Sequence, residues 1–317
     1  MLYYYKYGGL MEIFSGTYKS SDTKSNIVYY EFVPKGMPKA IVQISHGMCE
    51  HMGRYRRFAE YLTRHGYLVC GNDHLGHGKT AKSPADLGFF GEKNGWRYLI
   101  RDVKQLTEIM KSKYKNIPVF LLGHSMGSFI GRAYLSWYSD LINGAIFLGT
   151  SGGVAAGNTA VAVTNLMAAM HGIHFRSGTV TKLATETFTM KIGGKKSDMD
   201  WLTRDRKVIE GYQNDKTANF IFTAKAYNDM ITLLNTVSAK DWAESVPEAM
   251  PVLIMSGDMD PVGEYGRGVY KVYKRLKKAG VGDVKLRLYK GARHELLHEL
   301  NYGEVFADIL DWLEARV

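Results

Sequence analysis

The stretch that most constrains this chain is a junction, "IPVFLLGHSMGSFIGRAYLSWY", residues 117–138. Its first part is a short apolar run entered through Pro118 and reads as a buried strand. In its second part Phe129, Ile130, Ala133, Tyr134 and Trp137 recur at helical spacing. Ser125 stands between them in a G-x-S-x-G pattern. Gly123 and Gly127 let the chain reverse without side-chain collisions. The N–H groups that open the following helix face back toward the serine, where they suit a developing negative charge. The bare pattern is weak, but a strand, a tight turn and a helix around it make Ser125 a candidate nucleophile.

The same strand–helix alternation extends along the chain. Runs at 27–33, 40–45, 67–72, 144–149, 251–257 and 284–289 read as further strands. Helical spacing appears from about Arg54, at 96–114, at 264–279 and at 301–317. This predicts an α/β fold, a doubly wound, mostly parallel sheet with helices on both faces. The rhythm breaks after "TSGG" (150–153). Residues 154–245 have helical spacing and no clear strand, so they are expected to form an inserted helical cap. The core would then comprise 1–153 and 246–317. An insertion over the carboxyl ends of the strands is a natural lid.

Two cysteines, Cys49 and Cys70, give no disulfide framework and point to a reducing, cytoplasmic setting. The first residues lack a basic head before an apolar stretch, and no run of 18 apolar residues occurs, so neither a leader nor a spanning helix is expected. The net charge of +10 favours anionic surfaces or ligands. Its densest segments are 191–196 and 270–280. The second reads as the solvated face of a helix, and without a nucleic-acid motif no nucleic-acid partner is expected. Basic residues over 191–207 read first as a solvated loop, and as the alternative a peripheral contact with a membrane surface. Oligomeric state is not legible.

A serine hydroxyl needs a base, and the base needs an orienting group. His294 follows the last expected strand, at the sheet edge where chemistry collects, and is the candidate base over His298. Asp258 and Asp260 both follow the strand at 251–257, and Asp260 is the preferred acid. The loop after "AIVQIS" offers the Met48 N–H as an oxyanion donor beside the Met126 N–H, with Gly47 allowing close substrate approach. His46, Cys49, Glu50, His51, Asp73, His74 and His77 are metal-ligand types, but their spacing fits no strong zinc pattern. His46 and His74 read as loop-packing and hydrogen-bonding residues, so no metal or other cofactor is expected. Cys49 has no matching base for a nucleophile's role.

"HGMCEHMGRY", "DHLGHG", "GHSMGS", "SGDMDPV" and "GARHELLHE" stand in the order and approximate spacing of the α/β-hydrolase superfamily. They resemble its monoacylglycerol lipase and lysophospholipase branch, the serine-aminopeptidase-like hydrolases, from about residue 27 onward. The resemblance implies Ser125 as nucleophile, Asp260 as acid, His294 as base, and Met48 and Met126 as oxyanion donors. It implies hydrolysis of a small ester or lipid, most simply a monoacylglycerol. A lysophospholipid, a short-chain carboxylic ester, or a non-catalytic ligand-binding role is the alternative. Members of that branch carry small residues after the "HG", so Met48 and Cys49 are expected to narrow the pocket. Met167, Met170, Phe175, Phe188, Met190 and Trp201 of the cap are expected to supply apolar acyl-binding surface or to pack the cap itself.

Overall fold

The computed structural model describes residues 3–7, 11–154 and 156–317. Among them nine strands form one sheet: β1 (Tyr3–Tyr7), β2 (Met11–Lys19), β3 (Asn26–Pro34), β4 (Ile41–Ser45), β5 (Leu68–Asn72), β6 (Val119–His124), β7 (Gly144–Leu148), β8 (Val252–Gly257) and β9 (Val284–Tyr289). Their order is β1-β2-β3-β5-β4-β6-β7-β8-β9. The first three strands run as an antiparallel meander that joins β5 antiparallel. From β5 onward all neighbours are parallel. The seven strands expected from the sequence are present, and β1 and β2 extend the sheet beyond them.

Parallel strands need crossovers, and these place helices on both faces. Along β6, Val119 and Leu121 face a core shared with Leu106, Met110 and Ile130, whereas Phe120 and Leu122 face Phe58, Leu62, Ile309 and Leu313. The first face carries α2 (Gly95–Lys113) and α3 (Met126–Tyr138), and the second carries α1 (Arg56–Arg64). The expected start of α1 near Arg54 falls in a short 3-10 turn, Met52–Tyr55, capped by the His51 side chain, which accepts the Gly53 N–H. Removing a core side chain such as Leu121 would cost about 2–5 kcal/mol through lost burial and the cavity left behind.

Between β7 and β8 lie α4 (Gly157–His171), α5 (Gly178–Thr185), α6 (Arg206–Asn214) and α7 (Ala224–Val237). They are followed by α8 (Arg267–Lys278) and α9 (Tyr302–Glu314). The helix α7 is no outlying element: Ala226, Tyr227, Leu233, Leu234 and Val237 join the core under α2 and α3. Asn228 reaches from α7 to the Val161 carbonyl and the Thr164 hydroxyl of α4. No helix among the described residues is long and apolar enough to cross a membrane.

Candidate active site

The carboxyl edge of the parallel strands gathers four loops. The turn after β6 holds Ser125 at φ 52° and ψ −121°, a left-handed conformation that is strained for serine. Close packing on both sides maintains it. The Ser125 N–H donates to the Leu148 carbonyl at 2.9 Å, and the Ser125 carbonyl accepts the Ser128 N–H at 2.8 Å. A Cβ at Gly127 would collide with the Ser45 carbonyl, and one at Gly123 with the Gly127 carbonyl. The two glycines are therefore required by the space around them.

After β8, Asp258 and Asp260 diverge. One Asp258 carboxylate oxygen accepts the Gly291 N–H at 2.7 Å and braces the turn after β9. Asp260 is wholly buried and lies 3.0 Å from His294 Nδ1, while also accepting the Val262 N–H at 2.9 Å and the Ser256 hydroxyl at 3.1 Å. Burial pushes its carboxyl up, but the charge and hydrogen bond of His294 and the donors Val262 and Ser256 together hold it below its ordinary value. His294 is 2% exposed. Its ring centroid lies 5.0 Å from His124, the neighbour of Ser125, and 5.1 Å from Trp201. His298 turns away, with Nε2 on the Arg54 carbonyl at 3.0 Å.

Ser125, Met48 and Met126 line one cavity of about 1010 Å³ with Phe129, Phe188 and Trp201. Among the described residues neither the Met48 nor the Met126 N–H has a hydrogen-bond acceptor. Several sequence expectations shift here. Met167 and Met170 lie outside the cavity wall, and Met170 is 68% exposed. Both lie on α4, whose cavity-facing residues include Gly157 and Ala160 instead. Met190 is also exposed. Cys49 is buried, with its thiol donating to the Phe220 carbonyl at 3.0 Å, so only Met48 of that pair borders the cavity. The room left by Gly47 is taken by protein: a Cβ there would meet Glu50 at 2.6 Å and the Ser125 Cβ at 3.2 Å.

Beneath the site runs a buried ionic network that the sequence reading missed. Glu50 Oε1 accepts the Gly47 N–H at 2.5 Å and the Tyr55 hydroxyl at 2.8 Å, and lies 2.9 Å from His124 Nδ1. Arg54 binds the other Glu50 oxygen at 2.9 Å and both oxygens of Glu295 at 2.7 Å. These contacts fall on the immediate neighbours of Met48, Ser125 and His294. Burial raises both carboxyls, yet His124 and Arg54 on Glu50, and Arg54 and His298 on Glu295, hold them well below the usual range. Burial lowers His124, but Glu50 reverses this and leaves its value raised. The signal was present as Glu50 and Arg54 at four-residue spacing, but Glu295 lies 241 positions from Arg54 and no local pattern joins them.

The histidines behind the Met48 loop act as neutral hydrogen-bonding groups. His77 Nε2 accepts the Cys49 N–H at 3.2 Å, and His46 Nε2 accepts the His74 N–H at 3.0 Å. An imidazole can accept only when uncharged at that nitrogen. Burial lowers all three, His77 to about 3. Among the described residues no group of three or more His, Cys, Asp or Glu is placed to hold a metal ion.

Comparison with known proteins agrees with this geometry. The chain is 29% identical to human monoglyceride lipase, over 89% of its own length and 85% of the relative. It is 27% identical to a monoacylglycerol lipase of Mycolicibacterium smegmatis, over 92% and 94%. The crystal structure of a thermostable carboxyl esterase from Bacillus coagulans in complex with glycerol superposes with a TM-score of 0.90 at 29% identity, covering 96% of this chain and 98% of that one. The sequence profile of the family described as serine aminopeptidase, S33, matches residues 36–301. With the sheet order, the serine elbow and that match in agreement, the chain belongs to the serine aminopeptidase S33 family, within the α/β-hydrolases.

Proposed function

We propose that the protein hydrolyses carboxylic esters of lipid-like substrates, foremost monoacylglycerols, through an acyl-enzyme on Ser125. The protein is a carboxylic ester hydrolase. The observation that carries the Ser125 assignment is the buried Asp260–His294 pair, 3.0 Å apart, beside a strained serine turn in an apolar cavity. Asp260 engages Nδ1 of His294 and leaves Nε2 to take the Ser125 proton as the hydroxyl attacks the ester carbonyl. The N–H groups of Met48 and Met126, which have no acceptor of their own, stabilise the oxyanion. His294 then protonates the leaving alcohol. Water, deprotonated by the same imidazole, releases the acid and restores the serine. No metal or organic cofactor enters these steps.

In this reading 1–153 and 246–317 form the catalytic core and 154–245 the cap. Phe188 and Trp201 of the cap, with Met230, Ile231 and Leu234 of α7, receive the acyl chain. The exposed Val163, Leu166 and Met170 of α4, with the basic loop at 191–196, suit a peripheral contact with a lipid surface. A short-chain carboxylesterase is the second reading, favoured by the likeness to the Bacillus coagulans esterase.

The test is initial rates on glycerol monoesters of short, medium and long acyl chains, with Ser125→Ala in parallel. Loss of a triad serine costs on the order of 10⁶ in kcat in subtilisin, and a loss of that scale is expected here. Long-chain turnover abolished by the substitution supports the lipase reading. Turnover of short esters alone supports the carboxylesterase. Equal rates in parent and variant would remove Ser125 from the chemistry, and no turnover by the parent would leave a ligand-binding scaffold.

A further inference from the structure

The cavity is apolar near Ser125 and changes character where β7 hands over to the following segment. Its wall there is made by Ser151, Gly152, Gly153, Ser238, Lys271 and Arg275. Behind this wall lies Arg132 of α3, a wholly buried arginine. Its guanidinium donates to the Ser151 carbonyl at 2.7 Å, the Thr150 hydroxyl at 3.3 Å and the Val237 carbonyl at the end of α7, and Nε has no partner. None of these acceptors is a carboxylate. A buried charge without an opposite partner is costly, and the carbonyl dipoles, the negative end of α7 and the Trp242 ring 4.6 Å from the guanidinium offset only part of that cost.

A second arginine adds to the imbalance. Arg275 NH1 donates to the Gly152 carbonyl at 3.4 Å, and among the described residues it has no ion-pair partner. Burial lowers Arg132 to about 9, and repulsion from Arg275 contributes. Two guanidiniums thus bond to the strip 150–153 and repel each other. The one carboxylate on this wall, Glu264, is held by Lys271 at 3.0 Å from both oxygens. The Ser238 hydroxyl is buried and has no partner among the described residues. This end of the cavity therefore carries uncompensated positive charge and an unused hydroxyl, and both an anion would satisfy.

Distance along the chain ties this end to the serine. Gly152 is four residues beyond Leu148, whose carbonyl accepts the Ser125 N–H, so the two places are at most about 14 Å apart along the backbone. One lipid-sized ester spans both. We propose that this end of the cavity is a subsite for an oxyanion, a phosphate or carboxylate on the polar half of the ester substrate, bound by Arg275 with Lys271 and Ser238 beside it. Arg132 stays behind the wall and supplies field rather than contact. The subsite rests on the ester-hydrolase reading of the same cavity and extends it to anionic monoacyl esters beside the neutral ones.

The experiment compares kcat/KM on three lauroyl esters that share one acyl chain: lauroylglycerol, lauroylglycerol phosphate and lauroyl glycerate. Parent, Arg275→Gln and Lys278→Gln proteins are measured together. Lys278 is exposed on the same helix, so its loss reports the effect of net charge alone. The anionic-to-neutral ratio is expected to fall about tenfold in Arg275→Gln, the scale of one charge-assisted contact, and less than twofold in Lys278→Gln. A fall confined to the phosphate ester identifies a phosphate site, and a fall confined to the glycerate a carboxylate site. An unchanged ratio in Arg275→Gln, or an equal fall in Lys278→Gln, overturns the proposal.

Calorimetric titration of Ser125→Ala with dodecyl phosphate separates the two readings. Binding weakened about tenfold by adding Arg275→Gln, in a protein whose parent cleaves none of the esters, would keep the subsite and reject the hydrolase. Cleavage of lauroylglycerol with dodecyl phosphate binding insensitive to Arg275 would keep the hydrolase and reject the subsite.

Discussion

Replacing Asp260 by Asn preserves the shape of the acid but presents a donor as readily as an acceptor to His294 Nδ1, which favours the wrong tautomer. The corresponding change in trypsin lowers kcat about 10⁴-fold, and a loss of that order is expected here. Asp258→Asn, whose carboxylate only accepts the Gly291 N–H, should keep kcat within about threefold, since an amide oxygen can accept the same bond. Rates on lauroylglycerol check both. Equal losses would mean that the two aspartates share the role. The sequence narrowed the acid to these two because both follow an apolar strand. It did not separate them by any local rule, because the contact that distinguishes Asp260 is with His294, 34 residues on. Ser125 was the more legible residue, since strand, turn and helix around it are local. Met167 and Met170 were misplaced for the opposite reason: they carry the right chemistry on a helix whose facing is set by packing against α7.

At the scale of elements, β4 to β8 were readable because they are buried along their whole length and largely apolar, whereas β9 at the sheet edge is buried only at Val284 and Tyr289. β2 was not, because in "MEIFSGTYK" only Met11, Ile13 and Gly16 are buried and the run is broken by Ser15, Gly16 and Thr17. The loops at the carboxyl edge have no such pattern, and ionic contacts register them. Arg54 couples the Met48 loop to the His294 loop through Glu50 and Glu295. Arg54→Met would leave two buried carboxylates without their cation, at a cost of about 3–5 kcal/mol. If the network also positions the site, kcat on lauroylglycerol should fall at least tenfold with KM little changed, measured at a temperature where the variant remains folded. Urea unfolding and kinetics on the same preparation check this. Full activity in a folded Arg54→Met protein would reduce the network to a stabilising one.

Across the whole molecule, buried histidines set the response to acid. His46, His74 and His77 are neutral in the fold and held below their ordinary value by burial. In the unfolded chain each titrates near 6.5. Between that value and the folded one, the unfolded state binds the proton and the native state does not, so the stability these groups contribute is full above 6.5 and declines as pH falls. For His77, with a folded value of about 3, the loss from pH 6.5 to pH 5 is about 2 kcal/mol. His124 runs the other way: its raised folded value means that its contribution is complete below 6.5, so acidification to pH 5 removes none of it. The depressed carboxyls of Glu50 and Glu295 hold their contribution until pH falls below their ordinary 4.5. Over pH 7 to 5 the three histidines behind the Met48 loop act together against stability and outnumber Asp102, which burial raises to about 6 and which acts the other way because the fold takes up its proton first. Urea unfolding at pH 7 and pH 5 should show the parent losing several kcal/mol. In His77→Asn, whose amide oxygen can still accept the Cys49 N–H, that difference should shrink by about 2 kcal/mol. An identical pH difference in parent and variant would mean that His77 is not the group responsible. Because His77 stays uncharged in the fold down to about pH 3, the Cys49 N–H beside Met48 keeps its acceptor throughout this window.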